Sequence, residues 1–192
     1  MPDTGWLFPG TTNTRQNLSN NPWADPDNCK ADDFTYATCV GTKFDGNSPG
    51  DGPELITYNY GFSVPSSATI VGIEVEVQQF SGVNATGEVV YLKSDDVGSP
   101  YVIAGNHKTD DFTDMQTDGQ AGGSPVTTHI YGSPTDTWGA GLTPADVNSS
   151  NFGFITMAYD DAAPLNTGID YIKMKIHYEF QNSAPIVIMV GV

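Results

Sequence analysis

Basic residues are scarce in this chain of 192 residues: Lys and Arg together number 7 against 23 Asp and Glu, giving a formal net charge of −16. Such a surface repels a phosphate backbone and offers no cationic stripe to track one, which argues against nucleic acid as a partner. Cysteine is scarcer still. Cys29 and Cys39 are the only two, and their spacing matches neither a CxxC metal knuckle nor a redox pair. Two readings stay open for them. One is a disulfide whose closed loop adds about 3 kcal/mol under the chain-entropy model, and the other is a pair of buried thiols kept reduced in a cytosolic setting.

Long apolar runs are missing as well. The most apolar stretch, Pro185–Val192, falls far short of the roughly 20 residues that cross a bilayer, so no membrane partner is expected. The opening Met1–Gly10 has neither the cationic start nor the apolar core of a signal peptide, and synthesis in the cytoplasm without Sec export is the expectation. No segment sustains a helical period. No nucleophile elbow, phosphate loop or HExxH motif occurs, and His107, His129 and His177 share no metal-ligand spacing. The expectation is a protein that is not an enzyme and carries no cofactor, Ca²⁺ aside.

What the chain does have is alternation. In Thr69–Phe80, Ile73, Val75 and Val77 share one face while Glu74, Glu76 and Gln78 share the other. In Gly168–Phe180, Ile172, Met174, Ile176 and Tyr178 oppose Lys173, Lys175, His177 and Glu179. A period of two with acidic residues outward on one run and basic residues outward on the other describes half-buried strands of an antiparallel sheet with one wet face. If the runs are neighbours, Glu74 and Glu76 lie opposite Lys173 and Lys175. With 21 Gly and 13 Pro cutting the chain into short pieces, turn signals recur at a spacing that fits a sandwich. The fold class is therefore all-β: a single antiparallel β-sandwich, jelly-roll-like, of about eight strands.

Three regions follow from this reading. Residues 1–50, rich in Asn, Asp, Pro and Gly with Trp6, Phe8, Trp23, Phe34, Tyr36 and Phe44 interspersed, are expected to form an extended arm with aromatic anchors. Residues 51–183 form the sandwich, and residues 184–192 an apolar C-terminal strand. The stretch Gly105–Ser124, with Asp110, Asp111, Asp114 and Asp118, is expected as a loop. Asp110, Asp111 and Asp114 there, or the stretch Asp25–Asp33, supply hard oxygen ligands of the kind Ca²⁺ takes, although neither follows a known calcium-loop spacing. Gly61 and Gly72 mark points of close packing or twist. Trp138 reads as a plug at one open end with its indole N–H on a backbone carbonyl, and Asp170 as a turn-capping carboxylate.

The order of four pieces carries a resemblance: NPWADPDNCKADDFTYAT, then NYGFSVPSSATIVGIEVEV, then DTWGAGLTPADVNSSNFGF, then IDYIKMKIHY. Over roughly residues 20–180 this series resembles short single-domain β-sandwich structural proteins of tailed-bacteriophage virions. The resemblance implies a virion part on the outer surface, of the capsid decoration or cement type, with the major capsid protein or neighbouring virion subunits as partners. The alternative it leaves is a tail or fibre component that binds host-surface glycan through exposed aromatics, for which Trp6, Phe8, Trp23 and Trp138 are the candidates. The Cys29 and Cys39 pair and the tail from Ala184 to Val192 lie outside the shared pattern.

The tail has its own physical consequence. Pro185, Ile186, Val187, Ile188, Met189 and Val190 would leave an apolar strand edge open on a free monomer, which predicts burial against a sister copy or a permanent partner. Deleting residues 185–192 is accordingly expected to lower the association state seen by sedimentation velocity. An unchanged sedimentation coefficient per subunit would remove the tail from the interface.

Overall fold

In the computed structural model the described residues are 1–15, 23–41, 53–81, 87–95, 102–111, 127–159 and 165–180. They form nine strands: β1 (Thr11–Arg15), β2 (Ala37–Gly41), β3 (Glu54–Tyr58), β4 (Ala68–Ser81), β5 (Gly87–Asp95), β6 (Val102–Asp111), β7 (Thr127–Ser133), β8 (Gly153–Tyr159) and β9 (Leu165–Phe180). One sheet has the order β1-β3-β8-β5-β6 and the other β2-β9-β4-β7, and every named pairing is antiparallel. From β2 onward the chain changes sheet at every connection except the β5–β6 hairpin and the β8–β5 and β9–β4 neighbours arise from strands distant in sequence. That is the strand order of a jelly roll, in which β2–β9 are the eight strands and β1 is added at one edge.

The two alternating runs are the central pair of their sheet. β4 and β9 pair along almost their whole length, with Glu74 opposite Lys175 and Glu76 opposite Lys173. Their apolar faces, Ile73, Val75 and Val77 with Ile172, Met174 and Ile176, have no exposed surface. Against them pack Leu55, Phe154 and Leu92 from the other sheet, with Phe62 and Phe152 closing one end of the core. Burying such side chains contributes roughly 1.5–3 kcal/mol each.

The end of the sandwich holding Phe152 is built by polar joints. Thr143 caps the short helix α1 (Pro144–Val147): Asp146 N donates to Thr143 Oγ1 (3.4 Å) and Thr143 N donates to Asp146 Oδ2 (2.8 Å), a reciprocal capping box. Asn148 then acts as a surrogate strand, accepting from Val64 N and donating to Val64 O, each at 2.8 Å. Trp138 is buried, and its Nε1 donates to Ile73 O at 3.1 Å, as expected of a plug. Gly72 beside it is required by close approach, since a Cβ there would lie 2.1 Å from Pro134 O. Gly61 is required by conformation instead, with φ +72 and open space around it.

Two expectations are corrected. The described residues among the first 50 are not an arm, because β1 pairs with β3, β2 pairs with β9, and residues further upstream bridge to β9 through Leu7–Met174 and Asp3–His177. Their sequence hides this: β1 is an edge strand of Thr, Asn and Arg, stabilised by ladder hydrogen bonds and by Arg15 Nε at 3.2 Å from the buried Glu54 Oε2 rather than by apolar alternation. The loop expected over Gly105–Ser124 is strand as far as Asp111, and residues 112–124 lie outside the described residues. Its first residues continue β6, with Asp110 opposite Glu88 and Asp111 opposite Gly87, because an edge strand tolerates the charge that an interior strand would reject.

The β4–β9 register is testable by charge. Glu76→Lys alone is expected to destabilise by about 1 kcal/mol in urea unfolding, since Lys173 Nζ lies 2.7 Å from Glu76 Oε1 and both side chains are largely covered. Combining it with Lys173→Glu should recover most of that loss, and a double variant no more stable than the single one would refute the pairing.

Candidate binding face

The wet face of the β2-β9-β4-β7 sheet gathers the charged residues of both alternating runs under a cover supplied by the chain's own start. Leu7 exchanges backbone hydrogen bonds with Met174 at 2.9 Å in both directions, Thr4 N donates to Ile176 O (3.1 Å), and Tyr178 N donates to Pro2 O (3.1 Å). This places residues 2–7 along the β9 edge beyond the reach of β2. Alternation then turns Leu7 toward the core and Trp6 toward the wet face.

Trp6 lies over both lysines, 4.2 Å from Lys175 Nζ and 5.5 Å from Lys173 Nζ to its ring centroid. Beneath it run two linked charge groups. Glu76 Oε1 accepts from Tyr171 OH and meets Lys173 Nζ, both at 2.7 Å. Glu74 Oε2 meets His177 Nε2 at 2.6 Å and Lys175 Nζ at 3.3 Å. Burial and the Glu76 carboxylate together push the Tyr171 hydroxyl up to about 12, so it stays protonated and donates. Phe8 packs edge-on against Tyr171 with centroids 6.0 Å apart and remains exposed, and Ile130 opposite Glu76 is 55% exposed. Glu74 and Glu76 are each neutralised by a neighbouring ammonium. The result is a strip of aromatic and apolar edges, those of Trp6, Phe8 and Ile130, around paired charged groups.

The other candidate residues are dispersed. Trp23 is corrected from a binding aromatic to a core one: it is 3% exposed and its Nε1 donates to Pro53 O at 3.1 Å. Trp138 is likewise removed from any ligand surface by its burial. Asp110 and Asp111 close β6, while Asp114 and the tail residues Pro185, Ile186, Val187, Ile188, Met189 and Val190 lie outside the described residues. Cys29 and Cys39 are both free and buried, with burial pushing each thiol up to about 12. Among the described residues no three His, Cys, Asp or Glu side chains converge as a metal-binding group.

Sequence reasoning missed one group. Asp170 caps a turn, but not its own: its Oδ1 accepts from Asp33 N (3.4 Å), far away in sequence. The signal for it was the irregular pairing between Gln78 and Gln79, where β9 carries an extra residue opposite β4, and a bulge cannot be seen in one strand's sequence alone.

No family model and no curated protein sequence matches this chain. Among solved structures, a CBM4 structure is similar with a TM-score of 0.49 at 8% identity, covering 86% of each chain. The K3 adhesin domain of Lys-gingipain from Porphyromonas gingivalis gives 0.46 at 10% identity over 90% of this chain and 99% of that one. A carbohydrate-binding module specific for non-crystalline cellulose, CBM28, gives 0.40 at 11% identity over 83% and 86%. At such scores and identities these likenesses carry no argument about what the chain binds.

Trp6 fastens the first residues to the sheet. Trp6→Ala is expected to cost about 1–2 kcal/mol in urea unfolding, the loss of two partly covered cation–π contacts, while far-ultraviolet circular dichroism stays that of the parent. Stability equal to the parent's would mean that the ring is not seated on the lysines.

Proposed function

We propose that the protein is a non-catalytic structural module of a tailed-phage virion, displayed on the capsid surface as a decoration protein. The observation that carries this reading is where the motifs of the resemblance fall in the fold. NYGF and VPSS lead into β4 and receive Asn148; DTWGAGLTPADVNSS forms the Trp138 plug, the α1 cap and the Asn148 joint; IDYIKMKIHY is β9. What the resemblance shares is thus the machinery of a rigid sandwich, which fits a part whose work is to hold its place. The net charge of −16 supports an outward, solvated position away from packaged nucleic acid.

A second reading is supported by the exposed Phe8 beside Tyr171 on the wet face: a tail or fibre module that lays a glycan along this strip, with aromatic edges against sugar C–H faces and Gln78, Thr128 and the charged pairs toward hydroxyls.

Gold-labelled antibody against this chain, applied to intact particles, separates the two. Label distributed over the head supports decoration; label confined to the tail, or absent from particles, overturns it. On a glycan array the decoration reading expects no binding above background. Binding that Phe8→Ala abolishes without loss of fold would establish the glycan reading in its place.

A further inference from the structure

Two exposed aromatic rings are fastened to consecutive residues of β9. β2 pairs with β9 as far as Ile169, and the next bridge joins Lys30 to Tyr171, so the chain Ala31–Tyr36 arches away from the sheet beside Asp170 and returns to it. Phe34 stands on that arch and is 69% exposed. Phe8 packs edge-on against Tyr171 and is 39% exposed.

Phe34 is held out from the sheet. Its φ of 61 is left-handed, a region that a bulky side chain enters only when its surroundings impose it. Here they do. Asp170 is the residue added to β9 between the pairings Gln78–Tyr171 and Gln79–Ile169, and it has no exposed surface. Its carboxylate accepts from Asp33 N at 3.4 Å and from Phe34 N. On the outer side of the arch, Asp33 Oδ1 accepts from Thr35 N at 3.0 Å. A bulge, a buried carboxylate and a strained backbone thus act together on three consecutive residues, and what they produce is a large apolar ring in water. A ring fixed in this way loses little conformational entropy when it is covered, which is the character of an anchor at a protein interface.

Charge selects what covers it. Asp32 and Asp33 precede Phe34 on the arch and both are exposed, while Lys30 is turned to Asp27, its Nζ 2.9 Å from Oδ1. An apolar pocket that receives the ring therefore needs a basic rim. A second copy of this chain supplies one poorly: Lys and Arg number 7, and Arg15, Lys30, Lys173 and Lys175 are each engaged by a carboxylate of their own chain. We propose that Phe34 and Phe8, flanked by Asp32 and Asp33, form the surface by which the protein seats on a different virion protein, with Phe34 entering an apolar pocket rimmed by Lys or Arg. This inference rests on the decoration reading and adds to it the face that is turned toward the shell.

The test uses the full chain and particles assembled without it. The parent is expected to bind them saturably, with an affinity that falls as salt rises. Phe34→Gly removes the ring and relieves the left-handed backbone. Binding is expected to weaken about 30-fold while the melting temperature stays level or rises, a combination that a merely structural role for Phe34 excludes. Asp32→Asn should weaken binding and flatten its salt dependence, and Phe180→Ala, which removes an exposed ring at the far end of β9, should bind as the parent does. Parent-like binding by Phe34→Gly, or an equal loss in Phe180→Ala, overturns the proposal and leaves the decoration reading standing. A parent that does not bind the particles overturns the decoration reading and the proposal with it. Self-association lost in Phe34→Gly with particle binding intact would overturn the proposal in favour of a second copy as the partner.

Discussion

The fold depends on the pairing of β4 with β9. These are the two longest strands, they are adjacent in the middle of one sheet, and their register decides on which side every other residue of that sheet falls. A slip of one residue would place Glu74 and Glu76 in the core and Val75 and Val77 in water. Two different forces hold the register. Apolar burial fixes the inner face, and the alignment of Glu76 with Lys173 and Glu74 with Lys175 fixes the outer one. Each ion pair contributes about 1 kcal/mol or less as a cross-strand pair. Together they favour this register, since a slip of two residues would leave only one Glu opposite a Lys.

From that pair the remainder of the molecule is arranged as closures. One end of the core is stoppered by Trp138 and Asn148, whose side chains supply to β4 and to the preceding turn the hydrogen bonds that no strand supplies. The open edge of β9 is covered in succession by β2, by Lys30 and by residues 2–7. Covering an edge in pieces leaves gaps between the pieces, and Asp170 lies in one of them. The bulge there aims a carboxylate at a passing loop instead of at a ladder partner, an arrangement that sheets reserve for local tasks.

Legibility in the sequence followed burial. β4 and β9 were evident because each has one wet face and one dry face, so that alternation is written directly into residue type. The Trp138 plug and the Thr143 cap were evident because a buried indole and a helix start each demand one particular partner. β1 and β2 were hidden. β1 is held by backbone hydrogen bonds at a sheet edge, a force to which Thr, Asn and Arg are as well suited as any residue. Trp23 misled for a related reason: an aromatic among Asn, Pro and Asp looks like an exposed anchor, and only the folding back of that segment over Pro53 made it core.

The sequence by itself determined the all-β sandwich, the two central strands and which of their faces is dry, because period and residue type act locally and need no knowledge of what is across the gap. Tertiary structure alone decided that the chain's first residues lie along β9, that Trp6 rests on Lys173 and Lys175, and that Asp170 meets Asp33. Those contacts join residues far apart in the chain through backbone groups and through a bulge, and backbone groups are the same in every residue.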